Sequence, residues 1–162
     1  MINLEKTNNF HGKINKLKNE YREQGNILMK ELIKEFLQTY NFIYGICFAG
    51  YTPYFNDDGD ECTYGVLGIE FLTKKSVEIP DYAKDSINEK CYYARKIIDS
   101  GDSDWDGKSI YTYKLPAEVK KDFNAVEKFI YSNKDFIKSL FDDHKIILIS
   151  EKEVKTIDYD HD

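Results

Sequence analysis

Residues 42–73 read FIYGICFAGYTPYFNDDGDECTYGVLGIEFLT. The first eight alternate, Phe42, Tyr44, Ile46 and Phe48 against Ile43, Gly45, Cys47 and Ala49. That period-two pattern of β-branched and aromatic residues predicts a strand with its aromatics on one face. Strand character resumes from Cys62 to Thr73, with Tyr64, Val66 and Gly68 on one face and Leu67, Ile69 and Phe71 on the other. The simplest join is an antiparallel hairpin over 42–73 with a long, non-standard tip. Gly65 and Gly68 inside the second strand point to a bulge or a close backbone approach.

Outward from this hairpin, the period changes. Residues 1–40 read as a helical segment: Leu4, Ile14, Leu17, Tyr21, Leu28, Leu32 and Phe36 recur at helical steps among Lys, Glu and Arg. Gly12 and Gly25 weaken the run, so a break is expected near one of them. A coiled-coil or partner-helix role for the stripe is available, but a helix covering its own sheet is the preferred reading. Ile87, Cys91, Ala94 and Ile98 predict a helix over 81–99, stopped by Ser100 and Gly101. Ile110–Tyr113 is β-prone. Pro116 opens a helical stretch over 116–141, with fresh capping residues at 132–135. A second hairpin is expected over 145–159.

Helices at the front and middle, with one hairpin early and one last, suit a single α+β domain over 1–162, its mainly antiparallel sheet covered by helices on one face. The length of 162 residues and the 41% hydrophobic content are ample for one core. Regular strand–helix alternation and Gly-rich phosphate-binding turns are absent from the sequence.

With 23 basic against 29 acidic residues, the formal net charge is −6, which excludes a general phosphate-backbone binder, so no direct nucleic acid is expected. No apolar run reaches a membrane span, and 1–13 carries no signal-peptide core, so a cytoplasmic location is expected. Cys47, Cys62 and Cys91 match no metal or redox spacing and read as reduced thiols. His11, His144 and His161 form no cluster, and no catalytic residue set stands out.

Chemistry concentrates at two bends. The first, Tyr51 to Cys62, sets Asp57, Asp58, Asp60 and Glu61 in five positions behind Tyr51, Tyr54 and Phe55, with no Lys or Arg. Like charges this close repel, so a cation, N–H donors or a basic partner must offset them. A plain turn, with Asn and Asp capping locally, is the competing reading. The second bend, Asp102-Ser103-Asp104-Trp105-Asp106-Gly107, preceded by Asp99, starts like a calcium loop. Its twelfth position is Tyr113 instead of a bidentate Glu, which leaves a non-standard calcium site on Asp102, Asp104 and Asp106. Trp105 either packs inward or serves as a partner's anchor. Eight of the 29 acids fall in these bends, so the other 21 face all 23 basic residues.

The run Tyr51-Thr52-Pro53-Tyr54-Phe55-Asn56-Asp57, with the following Gly59, acidic residues and Cys62, resembles a signature of small uncharacterised phage and bacterial proteins. Here an extra acid, Asp58, precedes Gly59. The resemblance spans about a dozen residues and implies a phage or mobile-element origin, with no activity attached.

Three functions follow as expectations. The first is a non-enzymatic inhibitor of a host protein with a basic, nucleic-acid-handling surface, such as an anti-CRISPR or other anti-defence protein, binding through Tyr51, Tyr54, Phe55, Asp57, Asp58, Asp60, Glu61 and Trp105. The alternative is a divalent-cation protein or metal-dependent enzyme, with Asp57 and Asp60 joining the three aspartates of the second bend. In the third, the bends are solvated turns and the first helix is an oligomer interface.

Overall fold

The computed structural model describes residues 4–54, 59, 61–99 and 103–160, with side chains from residue 9 onward. Six strands form one antiparallel sheet: β1 (Ile43–Tyr51), β2 (Gly65–Lys74), β3 (Ile87–Asn88), β4 (Trp105–Ile110), β5 (Lys145–Ser150) and β6 (Val154–Asp158). Their order is β3-β4-β2-β1-β5-β6. The two expected hairpins are therefore one sheet, because β1 pairs with β5 as well as β2. The helices are α1 (Leu4–Thr39), α2 (Asp81–Lys84), α3 (Tyr92–Ile97), α4 (Ala117–Ser132) and α5 (Lys134–Phe141). No helix among the described residues is long and apolar enough to cross a membrane.

Both faces of the sheet are covered, which corrects the one-sided expectation. Against one face, α1, α4 and α5 bury Met29, Ile33, Phe123, Ile130 and Ile137 on Phe48, Phe71 and Ile147. On the other, α3 packs Ala94 and Ile97 over Cys47, Leu72, Ile146 and Leu148. The first eight residues of β1 are buried as a result. Its aromatics do not share a face either: Phe42 and Phe48 join the larger layer and Tyr44 the smaller. Irregular pairing at Ile43/Gly45 and Cys47/Ala49 shifts the alternation, as an inserted residue does.

The 81–99 helix is also corrected. Two helices flank the β3 ladder, where Ile87 and Asn88 pair with Ile110 and Ser109. Strand pairing there outweighs a helical spacing that looked continuous. In α3, Glu70 of β2 supplies the N-terminal cap, its carboxylate accepting N–H bonds from Tyr92, Tyr93 and Ala94 at 2.6, 3.3 and 2.9 Å. The β-prone stretch expected at 110–113 lies earlier, from Trp105 to Ile110, and a 3-10 turn follows at Thr112–Lys114.

Helix α1 runs unbroken past Gly12 and Gly25. At Gly25 a Cβ would stand 2.1 Å from a Leu140 methyl, so the missing side chain is what admits α5. The buried stripe is Met29, Ile33, Phe36, Leu37 and Tyr40, whereas Leu17, Tyr21, Leu28 and Leu32 of the expected stripe are 45–65% exposed. The sequence pairs Leu28-Met29 and Leu32-Ile33 offer two stripes about 100° apart, and the sheet takes the second.

Candidate functional site

The two bends lie at opposite ends of the sheet. The first leaves β1 at Tyr51, where Tyr51 faces Gly65 and Gly50 faces Lys145. The second enters β4 at Trp105, which faces Lys74, at the Ile43 end. Eight residue steps of β1 separate them, roughly 27 Å at about 3.4 Å each. The described roots of the two bends thus do not adjoin. Phe55, Asp57, Asp58, Asp60 and Asp102 lie outside the described residues.

At the second bend, the cations missing from the local sequence arrive from the C-terminal hairpin. Lys152, in the β5–β6 turn, pairs with Asp104, and Lys155 of β6 lies 3.5 Å from Asp99. The Lys152 ammonium holds the Asp104 carboxyl below its ordinary range. Asp106 turns elsewhere, accepting the Thr73 hydroxyl and the Lys108 N–H. Asp104 and Asp106 thus serve different partners. Trp105 is half-buried against the α3-side layer and donates its indole N–H to the Lys108 carbonyl at 2.8 Å. It is a structural residue of β4 instead of an outward anchor. Among the described residues, no three His, Cys, Asp or Glu side chains converge as a metal-ligand set.

The Tyr51 end carries the denser construction. Thr52, just past β1, donates its N–H and its hydroxyl to the two oxygens of Asp143, at 2.7 and 2.5 Å. Lys138 of α5 approaches the same carboxylate at 3.2 Å, and the His144 N–H donates to it at 2.9 Å. Burial alone would raise this carboxyl; the Thr52 hydroxyl, Lys138 and the two backbone donors outweigh it and hold Asp143 at about 2. The bend that presents Asp143 is unusual. Asp142 and His144 both take positive φ, 67° and 56°, which costs non-glycine residues about 1–3 kcal/mol each. Arg22 of α1 offsets this by gripping both oxygens of Asp142 at 2.7 Å.

On this bend rests a row of rings. Tyr54 stacks on His144 at 4.9 Å; His144 meets Tyr51 at 6.3 Å, and Tyr51 meets Tyr159 at 5.8 Å. The row continues through Tyr93 to Tyr92 on α3, at 5.6 and 5.1 Å. Lys96 lies over Tyr92 at 4.4 Å and over Tyr159 at 5.3 Å. Burial, then the hydrogen bond with Tyr159, pushes the Tyr93 phenol up. Tyr54 and Tyr92 mark the row's solvent ends, 64% and 57% exposed, while Tyr51 is half-buried. Glu61 is exposed on the returning side of the loop.

Sequence reasoning placed Tyr51, Tyr54 and Glu61 at this end and missed Asp143, His144, Lys138 and the α3 tyrosines. The one local hint was the run Asp142-Asp143-His144 between a helix and a strand. The whole is an α+β protein with a tied-down acidic bend and an aromatic row beside it. Comparison with known proteins returned no match: no family model, no curated protein and no solved structure is significantly similar to this chain.

Proposed function

We propose that this is a non-enzymatic binding protein that docks its Tyr51 end onto a basic protein surface. The observation that carries this reading is the exposed Tyr54 ring, held on His144 at the root of a loop with four acids. An aromatic group fixed before binding loses little entropy on contact and makes an efficient anchor. The neighbouring carboxylates attract a cationic surface and tie affinity to salt. Trp105, engaged in β4, drops out of the docking set, and Tyr92 joins it.

Basic surfaces of this kind belong to proteins that handle nucleic acid, and the loop signature supports a phage or mobile-element origin. Together they favour an inhibitor of a host nucleic-acid-handling protein, of the anti-CRISPR or wider anti-defence kind, acting in the bacterial cytoplasm. The test is capture from bacterial lysate at low and high salt, followed by titration of each purified partner. Basic nucleic-acid-handling proteins are expected to bind at low salt and be released at high salt. Reversing Asp57, Asp58, Asp60 and Glu61, or replacing Tyr54 with Ala, should weaken binding at least tenfold. Binding indifferent to both changes would overturn the reading.

A further inference from the structure

Helices α1 and α4 run antiparallel and leave a groove between them. Near the end of α1, Tyr40 donates its hydroxyl to Asp122 at 2.6 Å, whereas earlier on α1 Leu32 and Ile33 stand beside Phe129. Two adjoining hollows open along the groove. One, of about 240 Å³, is lined wholly by apolar residues, Leu32, Ile33, Ala125, Val126 and Phe129. The other, of about 260 Å³, shares Leu32, Ala125 and Val126 and runs on to Phe36, Thr39 and Tyr40. Ile33 and Phe36 are buried beneath, while Leu32 is 48% exposed and Ala125 is exposed across from it. A continuous apolar surface of this kind, rimmed by polar residues, marks an interaction site.

The form of the groove selects a helix as its occupant. The walls that tell the hollows apart, Ile33 in one and Phe36 and Tyr40 in the other, follow one another along α1 at helical steps. A helix laid along the groove presents side chains at the same interval, at i, i+3, i+4 and i+7, and so fills both hollows in succession. Ridges of one helix seat in the furrow between two others by the same geometry. An extended peptide would find no sheet edge here, because both walls are helices, and its N–H and C=O groups would go unpaired.

Charge selects what flanks the apolar stripe of that helix. Among the described residues, the charged groups lining the hollows are Glu35 and Asp122, with no Lys or Arg. Helix α1 also ends at the larger hollow, at Thr39, without a basic residue in its last turn, so its carbonyl end adds partial negative charge. We propose that the α1–α4 groove seats an amphipathic helix of a partner protein, its apolar stripe in the two hollows and its Lys or Arg beside Glu35 and Asp122. The groove lies towards the Ile43 end of β1, where α1 finishes, and stands apart from the Tyr54 docking end.

Titration of the full chain with two labelled synthetic helices, read by fluorescence anisotropy, tests this. Each peptide has about five turns, at about 3.6 residues per turn, with Leu at i, i+3, i+4 and i+7. The remaining positions are Lys in one peptide and Glu in the other. The Leu–Lys peptide is expected to bind in the micromolar range and the Leu–Glu peptide not to bind. Leu32→Glu and Ala125→Glu change exposed positions, so circular dichroism should stay the same. Each adds a negative charge that would strengthen a merely electrostatic attachment of the Leu–Lys peptide. Seating in the hollows predicts the reverse, a loss of about tenfold or more, as for a central apolar anchor. Glu35→Lys should weaken the Leu–Lys peptide and admit the Leu–Glu one. Reversing Asp57, Asp58, Asp60 and Glu61 should leave binding unchanged, which separates the groove from the docking end. Absence of binding overturns the proposal, as does equal affinity for both peptides. So does affinity that survives Leu32→Glu and Ala125→Glu, or that falls on reversal of the loop acids. A dimer in sedimentation equilibrium that Leu32→Glu dissolves would give the groove to a second copy and overturn it too.

Discussion

The ring of Tyr54 lies on that of His144, centroids 4.9 Å apart and planes 28° from parallel. One residue belongs to the first acidic bend and the other to the α5–β5 junction, 90 positions later in the chain. The placing of Tyr54 is thus set by a distant bend, whose own shape depends on Asp143 and on Arg22.

Asp143→Asn should lower stability by about 1–3 kcal/mol, the usual effect of losing charge-assisted hydrogen bonds. The sign with pH follows from the direction of the shift. Asp143 is held at about 2 against an ordinary 3.8, so its contribution is complete at neutral pH. It is lost as pH falls from about 4 towards 2. Urea midpoints of the two proteins should differ at pH 7 and converge at the acid end of that window.

Glu70→Ala should cost about 2–3 kcal/mol and loosen α3 first, since one carboxylate serves three of its N-terminal N–H groups. Hydrogen exchange at Tyr93 and Ala94 should quicken well before that of the β1 amides. Equal acceleration throughout the sheet would count against a local capping role.

Gly68→Ala should be the harsher of two glycine changes in β2. Gly68 has φ +56°, and a Cβ there would stand 2.2 Å from the Tyr93 ring. Strain and overlap together should cost about 2–4 kcal/mol. At Gly65 a Cβ meets nothing within 4 Å, so Gly65→Ala should shift thermal stability little.

Millimolar calcium should leave the melting temperature and Trp105 fluorescence unchanged, because Asp104 is paired with Lys152 and Asp106 with Thr73. Lys152→Ala, which frees Asp104, should leave the thermal midpoint nearly unchanged, because solvent screens so exposed an ion pair. A calcium-dependent stabilisation of the unaltered chain would restore the metal reading of the second bend.

Most of the α+β plan was legible in the sequence. The alternation over 42–73 predicted β1 and β2 to within three residues, the hairpin expected over 145–159 is β5 and β6, and the capping run at 132–135 marked the join between α4 and α5. The errors have physical causes. Leu28-Met29 and Leu32-Ile33 offered two equivalent stripes, and the choice between them was made by the sheet layer that buries Met29 and Ile33. The bulges in β1 moved Tyr44 across the sheet, which strict alternation cannot anticipate. Ile87 to Ile98 satisfied a helical period while Ile87 was committed to β4.

The site divides in the same way. By itself the sequence determined that acids and aromatics gather at the Tyr51 bend, because composition and spacing are local properties of the chain. Only the tertiary structure decided that Lys152 and Lys155 neutralise the second bend and that the two bends stand at opposite ends of β1. It also decided that Asp143 and His144 underpin Tyr54. Charge balance and ring stacking act over a few ångströms in space, and sheet order sets which distant residues come that close.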